Sequence, residues 1–422
     1  MFIGRRRLLR SGLGAALAGL PGLLRALAPS DLPPDLRALQ QFIAGWDELG
    51  WQWTGTDVER ASAQWLARVT SEAGLDVAVE RYPFDRVDVT RCAIDQGEHH
   101  ALGLPLFDGG ATQQDGVSGR FTPAGEEGEI AVLEIAPWDA LNETLKRTRS
   151  EDRYRAVIVI TRGTTPGLAP LDCASPVASR PQAKPVVQVS SEHRDWLMKA
   201  AAERLEGTIV ALFQRAPGEG RNVVSVWSGS DPHLPPIIVL CGRSGWGPCV
   251  GERVGGLVCQ VYAAGALGKS AAPRTVIFAA TSGSELGNMG LDAFMKRYPA
   301  LPSEALGWIE LGPNLGARSS VMKLGGQNAG WLQLFQTRLD IEKARWTRSD
   351  ETESASSLPS AGTGAPASVA GANIPERALS LEAPATFAYH LPSDLLPGAV
   401  DLSQMLALAK AFASTILELA QA

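Results

Sequence analysis

A chain of 422 residues is longer than one ordinary domain and predicts two or three. Hydrophobic residues make up 45% and charged residues 20%, which is a globular composition and excludes a disordered or fibrous chain. A formal net charge of -6 without a basic face excludes nucleic acid as the expected partner, and neither an internal repeat nor a heptad run is visible.

The N-terminus reads as an export signal. In "GRRRLLRSGLGAALAGLPGLLRALAPS" a basic cluster precedes an apolar, small-residue segment ending at Ala26-Leu27-Ala28. This is the layout of a signal peptide over residues 1–28, with too short an apolar run for a comfortable membrane span. Arg5 and Arg6, followed by Arg7, Leu8, Leu9 and Arg10, resemble the twin-arginine pattern, in which the passenger folds before transport. The alternative is a short anchor that is never cleaved, because Pro29 is a poor residue just after a cut. Either way the body is placed outside the cytoplasm, periplasmic or extracellular. No later segment is read as a transmembrane span.

Helical periodicity predicts helices over 34–49 and 57–73; in the second, Ala61, Trp65, Leu66 and Val69 share a face and Thr56 or Asp57 serves as N-cap. A strand is predicted over 76–82. From about Val87 the texture changes to short β-rich runs, "GEIAVLEI", "YRAVIVITRG", "KPVVQVS" and "EGTIVALFQ", with helical pieces at 140–149 and 191–204. This region, 88–217, is expected to be a smaller α+β domain inserted between residues 29–87 and 218–422. The last region alternates strands (222–227, 237–240, 275–280, 305–311) with helices (254–267, 288–298, 330–339, 402–419), which predicts an α/β fold with a mostly parallel central sheet flanked by helices. The polar stretch 350–372 reads as a long loop. The five cysteines, Cys92, Cys173, Cys241, Cys249 and Cys259, match no zinc ribbon or redox motif. They are read either as small buried hydrophobes or as holding one disulfide, Cys241 with Cys249.

Four stretches carry a resemblance: "RNVVSVWSGSDPHLPPIIVLCGRSGWGPCVGERVGG", "RTVIFAATSGSELGNMGLDAF", "ALGWIELGPN" and "FAYHLPSD". In order and spacing they resemble a secreted zinc peptidase of the M28 family, with "SELGNMG" similar to its Glu-Glu-x-Gly-x-x-Gly turn and "YHLPSD" to its Tyr-His-Thr-Pro-x-Asp. The region 88–217 resembles the protease-associated (PA) domain that many such peptidases carry. The resemblance implies a zinc-exopeptidase-like fold of the phosphorylase/hydrolase type. It also implies a pair of zinc ions that activate water and polarise the scissile carbonyl.

Carried over by motif, the resemblance implies a ligand histidine at Arg243, its orienting aspartate at Gly245, the bridging aspartate at Gly251 and the base glutamate at Ser284. It leaves Glu285, Glu310 and His390 as remnant metal ligands. A catalytic zinc usually needs about three protein ligands; glycine offers no donor, serine is no carboxylate base, and a guanidinium repels a divalent cation. The substitutions therefore predict a pseudoenzyme with no intact catalytic residues and no resident cofactor. It would bind a peptide or protein ligand in the cleft between its domains. Arg243 is expected to stand where metal stood and to pair with Glu285 or Glu310. The alternative is a surviving hydrolase with one zinc at Glu285 and His390, completed by Glu310 or Glu252. A serine hydrolase using Ser244 or Ser284 fits poorly, since neither "GRSGW" nor "GSELG" is a nucleophile elbow. His99, His100, His193 and His233 are read as surface residues.

Overall fold

The computed structural model describes residues 32–139, 142–173, 184–349, 377–384 and 389–422; the expected signal (1–28) and the expected polar loop (350–372) lie outside the described residues. Helix α1 (Pro34–Asp47) starts on a proline, which sacrifices no intrahelical bond in the first turn, and buries Leu39, Ile43 and Trp46. Helix α2 (Asp57–Glu72) is capped by Thr56, whose hydroxyl accepts the Glu59 N–H at 3.2 Å. The Thr-x-x-Glu spacing offers the reciprocal bond of a capping box, but Glu59 turns into the interior instead and is fully buried.

The next strands are β1 (Asp76–Gln96), β2 (His99–Pro105), β3 (Val117–Pro123) and β4 (Ile130–Ile135). After helix α3 (Glu143–Ser150) come β5 (Ala156–Thr161) and β6 (Val186–Ser190), then helix α4 (Arg194–Ala202) and β7 (Glu206–Trp227). In neighbour order β1-β2-β6-β5-β4-β3-β7, with β7 also pairing β1, they close into a barrel. Closure removes the free edges that short strands would otherwise expose. Phe121, Ile130, Val132, Ile158, Ile160, Val187, Val189 and Ile209 fill one side of this wall with Leu197 of α4. Leu133, Val157 and Val159 pack the other side with Leu145 of α3. Strands β4 and β5 are thus covered on both faces, the reason Ile130 to Leu133 and Ala156 to Ile160 read as unbroken apolar runs.

Strands β1 and β7 pair antiparallel from Asp76↔Val226 to Asp95↔Thr208, with one irregularity between Val89 and Arg91. The expected boundaries at 87/88 and 217/218 therefore fall inside a continuous ribbon that belongs to both lobes.

The second lobe holds β8 (Ile237–Gly242), α5 (Val250–Leu267), β9 (Val276–Thr281), α6 (Met289–Arg297), α7 (Leu301–Glu304), β10 (Gly307–Leu311) and β11 (Met322–Gly326). It ends with α8 (Ala329–Ile341), β12 (Trp346–Arg348), β13 (Ala378–Glu382) and α9 (Leu402–Gln421). Its sheet runs β7-β9-β8-β10-β13-β11-β12, and the central β9, β8, β10 and β13 are parallel. Helices α1, α5, α8 and α9 cover one face; α6 and residues leading into β10 cover the other. Gly255 lets α5 approach the next loop, since a Cβ there would lie 1.7 Å from the Leu315 carbonyl oxygen. By length and composition alone α9 is apolar enough to cross a membrane, as a buried core helix also can be. Here it packs on α5 and α8, with Met405, Leu408, Phe412 and Ile416 fully buried. All five cysteines are buried, and Cys241 and Cys249 are free thiols, so the Cys241–Cys249 disulfide does not form.

Candidate functional site

Parallel pairing brings the carboxyl ends of β8, β9 and β10 side by side, the usual place for chemistry in an open α/β sheet. The loop after β8 supplies Arg243 and Ser244, the loop after β9 supplies Ser284 and Glu285, and the loop before α9 supplies His390 and Asp394.

Arg243 has no exposed surface, and its donors are committed. Nε donates to the Arg221 carbonyl at 3.0 Å, Nη1 to the Ser62 hydroxyl at 2.9 Å, and Nη2 to the Glu59 carbonyl at 3.0 Å and also to the Glu59 carboxylate. Glu59 further pairs with Arg221, its Oε2 lying 3.2 Å from Nη1. The expected pairing of Arg243 with Glu285 or Glu310 is thus replaced by a pair with Glu59, which the motifs do not include. The signal was present: Glu59, Ser62, Ala63 and Leu66 share the buried stripe of α2, and a carboxylate on such a stripe needs an interior cation.

Glu285 is satisfied without a cation. Its carboxylate accepts from the Thr54 N–H at 3.0 Å, the Thr54 hydroxyl at 2.6 Å and the Ser244 hydroxyl at 2.7 Å. Ser244 in turn accepts the Gly283 N–H at 2.7 Å, which makes it a strut of the loop rather than a nucleophile. Glu310 stays on β10, in register with Leu240 and Ser380. Ser284 sits over Gly242, where an added Cβ would lie 2.7 Å from its hydroxyl.

His390 enters a different group. It adopts a left-handed backbone, with φ of 59°. Nδ1 donates to the Pro170 carbonyl at 2.6 Å, while Nε2 faces Asp172 Oδ1 and Glu252 Oε1, each at 3.5 Å. Burial alone would depress the imidazole pKa, but the Asp172 and Glu252 carboxylates outweigh it and push it up to about 9. Glu252 also pairs with Arg253 at 2.8 Å, and Arg253 donates to the Ser244 carbonyl at 2.9 Å. Asp394 accepts the N–H groups of Gly251 at 2.6 Å and of Glu252 at 3.1 Å. Asp172, Arg253 and Asp394 were not singled out from the sequence. Asp172 lies in the first lobe and reaches this site only through the fold.

The donor set does not fit a zinc pair. Among the described residues no group of three His, Cys, Asp or Glu side chains is placed to hold a metal ion, so Glu285, Glu310 and His390 do not converge. A Cβ at Gly251 would lie 2.8 Å from Asp394 Oδ1 and 3.0 Å from the Ala399 carbonyl oxygen, so the room for a bridging aspartate is taken. A Cβ at Gly245 would lie 2.5 Å from Cys249 Sγ. Positive charge is already supplied by Arg243, Arg253 and His390. The surface histidines are elsewhere: His99, His100 and His233 are exposed and His193 is half-buried.

This is an α/β protein with a zinc-exopeptidase-like fold and a β-barrel lobe on the same ribbon. Its fold is that of the M28-family zinc aminopeptidases. Bacillus subtilis zinc aminopeptidase superposes with a TM-score of 0.72 at 16% identity, covering 92% of this chain and 96% of that one. The aminopeptidase from Aneurinibacillus sp. strain AM-1 gives 0.66 at 14%, covering 90% and 93%. A peptidase M28 precursor from Shewanella amazonensis gives 0.64 at 12%, covering 92% and 97%. No protein-family profile matches the chain, and no curated protein matches it.

Proposed function

We propose that this chain is a catalytically impaired homologue of the M28 peptidases, exported to the cell envelope by its twin-arginine-like signal. It works by binding a peptide or protein in the cleft between its lobes, with the barrel in the role of a protease-associated-like module. The observation that carries this reading is Arg243. Its guanidinium stays charged, takes the position of a ligand histidine by motif, and is tied to a carboxylate as buried as itself. It cannot swing aside to admit a metal without leaving Glu59 short of a partner. Glu285 would have to shed three hydrogen bonds to become a ligand. Ser284 offers a neutral hydroxyl where water activation needs a carboxylate.

Metal analysis of the purified chain, together with aminoacyl p-nitroanilide substrates, tests the reading. The expected result is zinc far below one ion per chain and no cleavage above background. Zinc near one equivalent, with cleavage abolished by His390→Ala, would overturn it in favour of the single-metal hydrolase.

A further inference from the structure

Residues 167–173 leave the barrel after β5 and lie against the second lobe's site. Ala169, Pro170, Leu171 and Cys173 are buried there. Four bonds hold the segment to its own lobe: the Gly167 N–H to Ser191 Oγ at 3.4 Å, the Ser191 N–H to the Gly167 carbonyl at 3.3 Å, the Ala169 N–H to Thr161 Oγ1 at 3.3 Å and the Leu171 N–H to Gln188 Oε1 at 2.7 Å. Three more hold it to the other lobe. The Cys173 N–H donates to the Glu285 carbonyl at 2.9 Å, His390 Nδ1 donates to the Pro170 carbonyl at 2.6 Å, and the Tyr389 hydroxyl donates to Asp172 Oδ2 at 3.4 Å. The segment therefore lies where a bound peptide would meet the ends of the parallel strands, and it contacts Glu285 and His390 together.

Its acidic side chain is the odd feature. A carbonyl and a carboxylate can only accept, so His390 presents N–H groups to Pro170 on one side and to the carboxylates on the other. The Tyr389 ring stacks on His390 at 3.8 Å and points its hydroxyl at Asp172, and Arg253 adds a fixed positive charge beside Glu252. Tyr389 and His390 thus aim donors at Asp172, beside the Glu252–Arg253 pair. Asp172 meets His390 poorly: at 3.5 Å it makes no hydrogen bond to the ring, and His390 Nε2 and Asp172 Oδ1 are both buried without hydrogen-bond partners.

We propose that the cleft is a recognition site for the carboxylate side chain of an acidic peptide, and that Asp172 is its tethered internal occupant, displaced when that peptide binds. The proposal deepens the binding role proposed above and rests on it. A tethered competitor acts at an effective concentration of order millimolar, so an external peptide binds the intact chain weakly until the segment is released.

Calorimetry on the full chain in EDTA tests this. The probes are acetyl-Ala-Pro-Leu-Asp-Ser-amide and the same peptide with Asn for Asp. Asp172→Asn is expected to bind the Asp peptide about tenfold more tightly than the unaltered chain does, and to discriminate against the Asn peptide by a similar factor. Adding His390→Gln should remove that discrimination. Equal affinity of both chains for the Asp peptide, or no discrimination by Asp172→Asn, would overturn the proposal. If Asp172→Asn fails to fold, hydrogen exchange on the unaltered chain decides. Millimolar Asp peptide should speed exchange of amides in 167–173, and unchanged rates overturn the proposal. Because EDTA is present throughout, this outcome is independent of the zinc measurement that decides whether the chain is a pseudopeptidase.

Discussion

A guanidinium without exposed surface keeps its charge only where its donors find acceptors. Arg243 meets that condition through Arg221, Ser62 and Glu59. Arg243→Ala should cost on the order of 3–5 kcal/mol, much of it the penalty of leaving Glu59 buried with less compensation. Glu59→Gln in the same background removes that stranded charge, so the double variant should be less destabilised than the two single costs summed, by roughly 1–3 kcal/mol. Urea unfolding midpoints measure both; strictly additive costs would mean that the pair is not what holds this region. In the sequence Arg243 was readable as a cation at a ligand position, because the motif around it survives. Its partner was legible only as a carboxylate on the buried stripe of α2, outside the motifs that point to Glu285 and Glu310. Thr54 and Ser244, which satisfy Glu285, lie 231 and 41 residues away from it and carry no spacing signal at all.

At the scale of elements, α5 begins without a cap of its own: Cys249 stands at the N-cap in the left-handed region and makes no side-chain capping bond. Asp394 supplies the cap from a distant loop. Burial, reinforced by the Glu252 charge and only partly offset by the two N–H donors, pushes the Asp394 carboxyl up to about 7 from 3.8. A folded state that holds this proton more tightly than the unfolded chain gains stability that is complete below the unfolded pKa. That gain is lost as pH rises through the folded pKa. Stability should therefore decline between about pH 4 and pH 7, and Asp394→Asn should flatten the decline by roughly 1–3 kcal/mol, read from thermal unfolding at each pH. An unchanged slope in Asp394→Asn would rule out this carboxyl as the source. Helices α1, α2, α6, α8 and α9 were legible because each buries a periodic stripe, α5 because it is long and buried almost all round, and β4 to β6 because they are short, largely apolar runs rich in Val and Ile. Strands β11, β12 and β13 were not: "MKLGG", "WTR" and "ALSLE" are short and carry little alternation, and only pairing with neighbours makes them strands.

At the scale of the molecule, two regions of different texture were legible in the sequence, and the β1/β7 pairing runs through both expected boundaries. The β1/β7 ribbon is shared, whereas the cores are separate: Phe121, Ile158 and Val187 belong to the barrel, and Val239, Phe278 and Phe412 to the second lobe. One smaller cluster bridges them, with Phe107 and Cys173 of the first lobe packed on Tyr82, Phe84 and Leu286. If the cores are independent, the barrel can be removed at the ribbon. Arg86 pairs directly with Ala216, so replacing 87–215 by Asn-Gly closes a two-residue hairpin in register. The shortened chain should unfold cooperatively by circular dichroism, at a lower midpoint than the full chain, because Tyr82, Phe84 and Leu286 lose their cover and His390 loses Pro170 and Asp172. Absence of a cooperative transition would mean that the second lobe depends on the barrel for its fold. A retained transition would instead leave the barrel's part in stability to the bridging cluster and to the 167–173 segment lying across the remnant site.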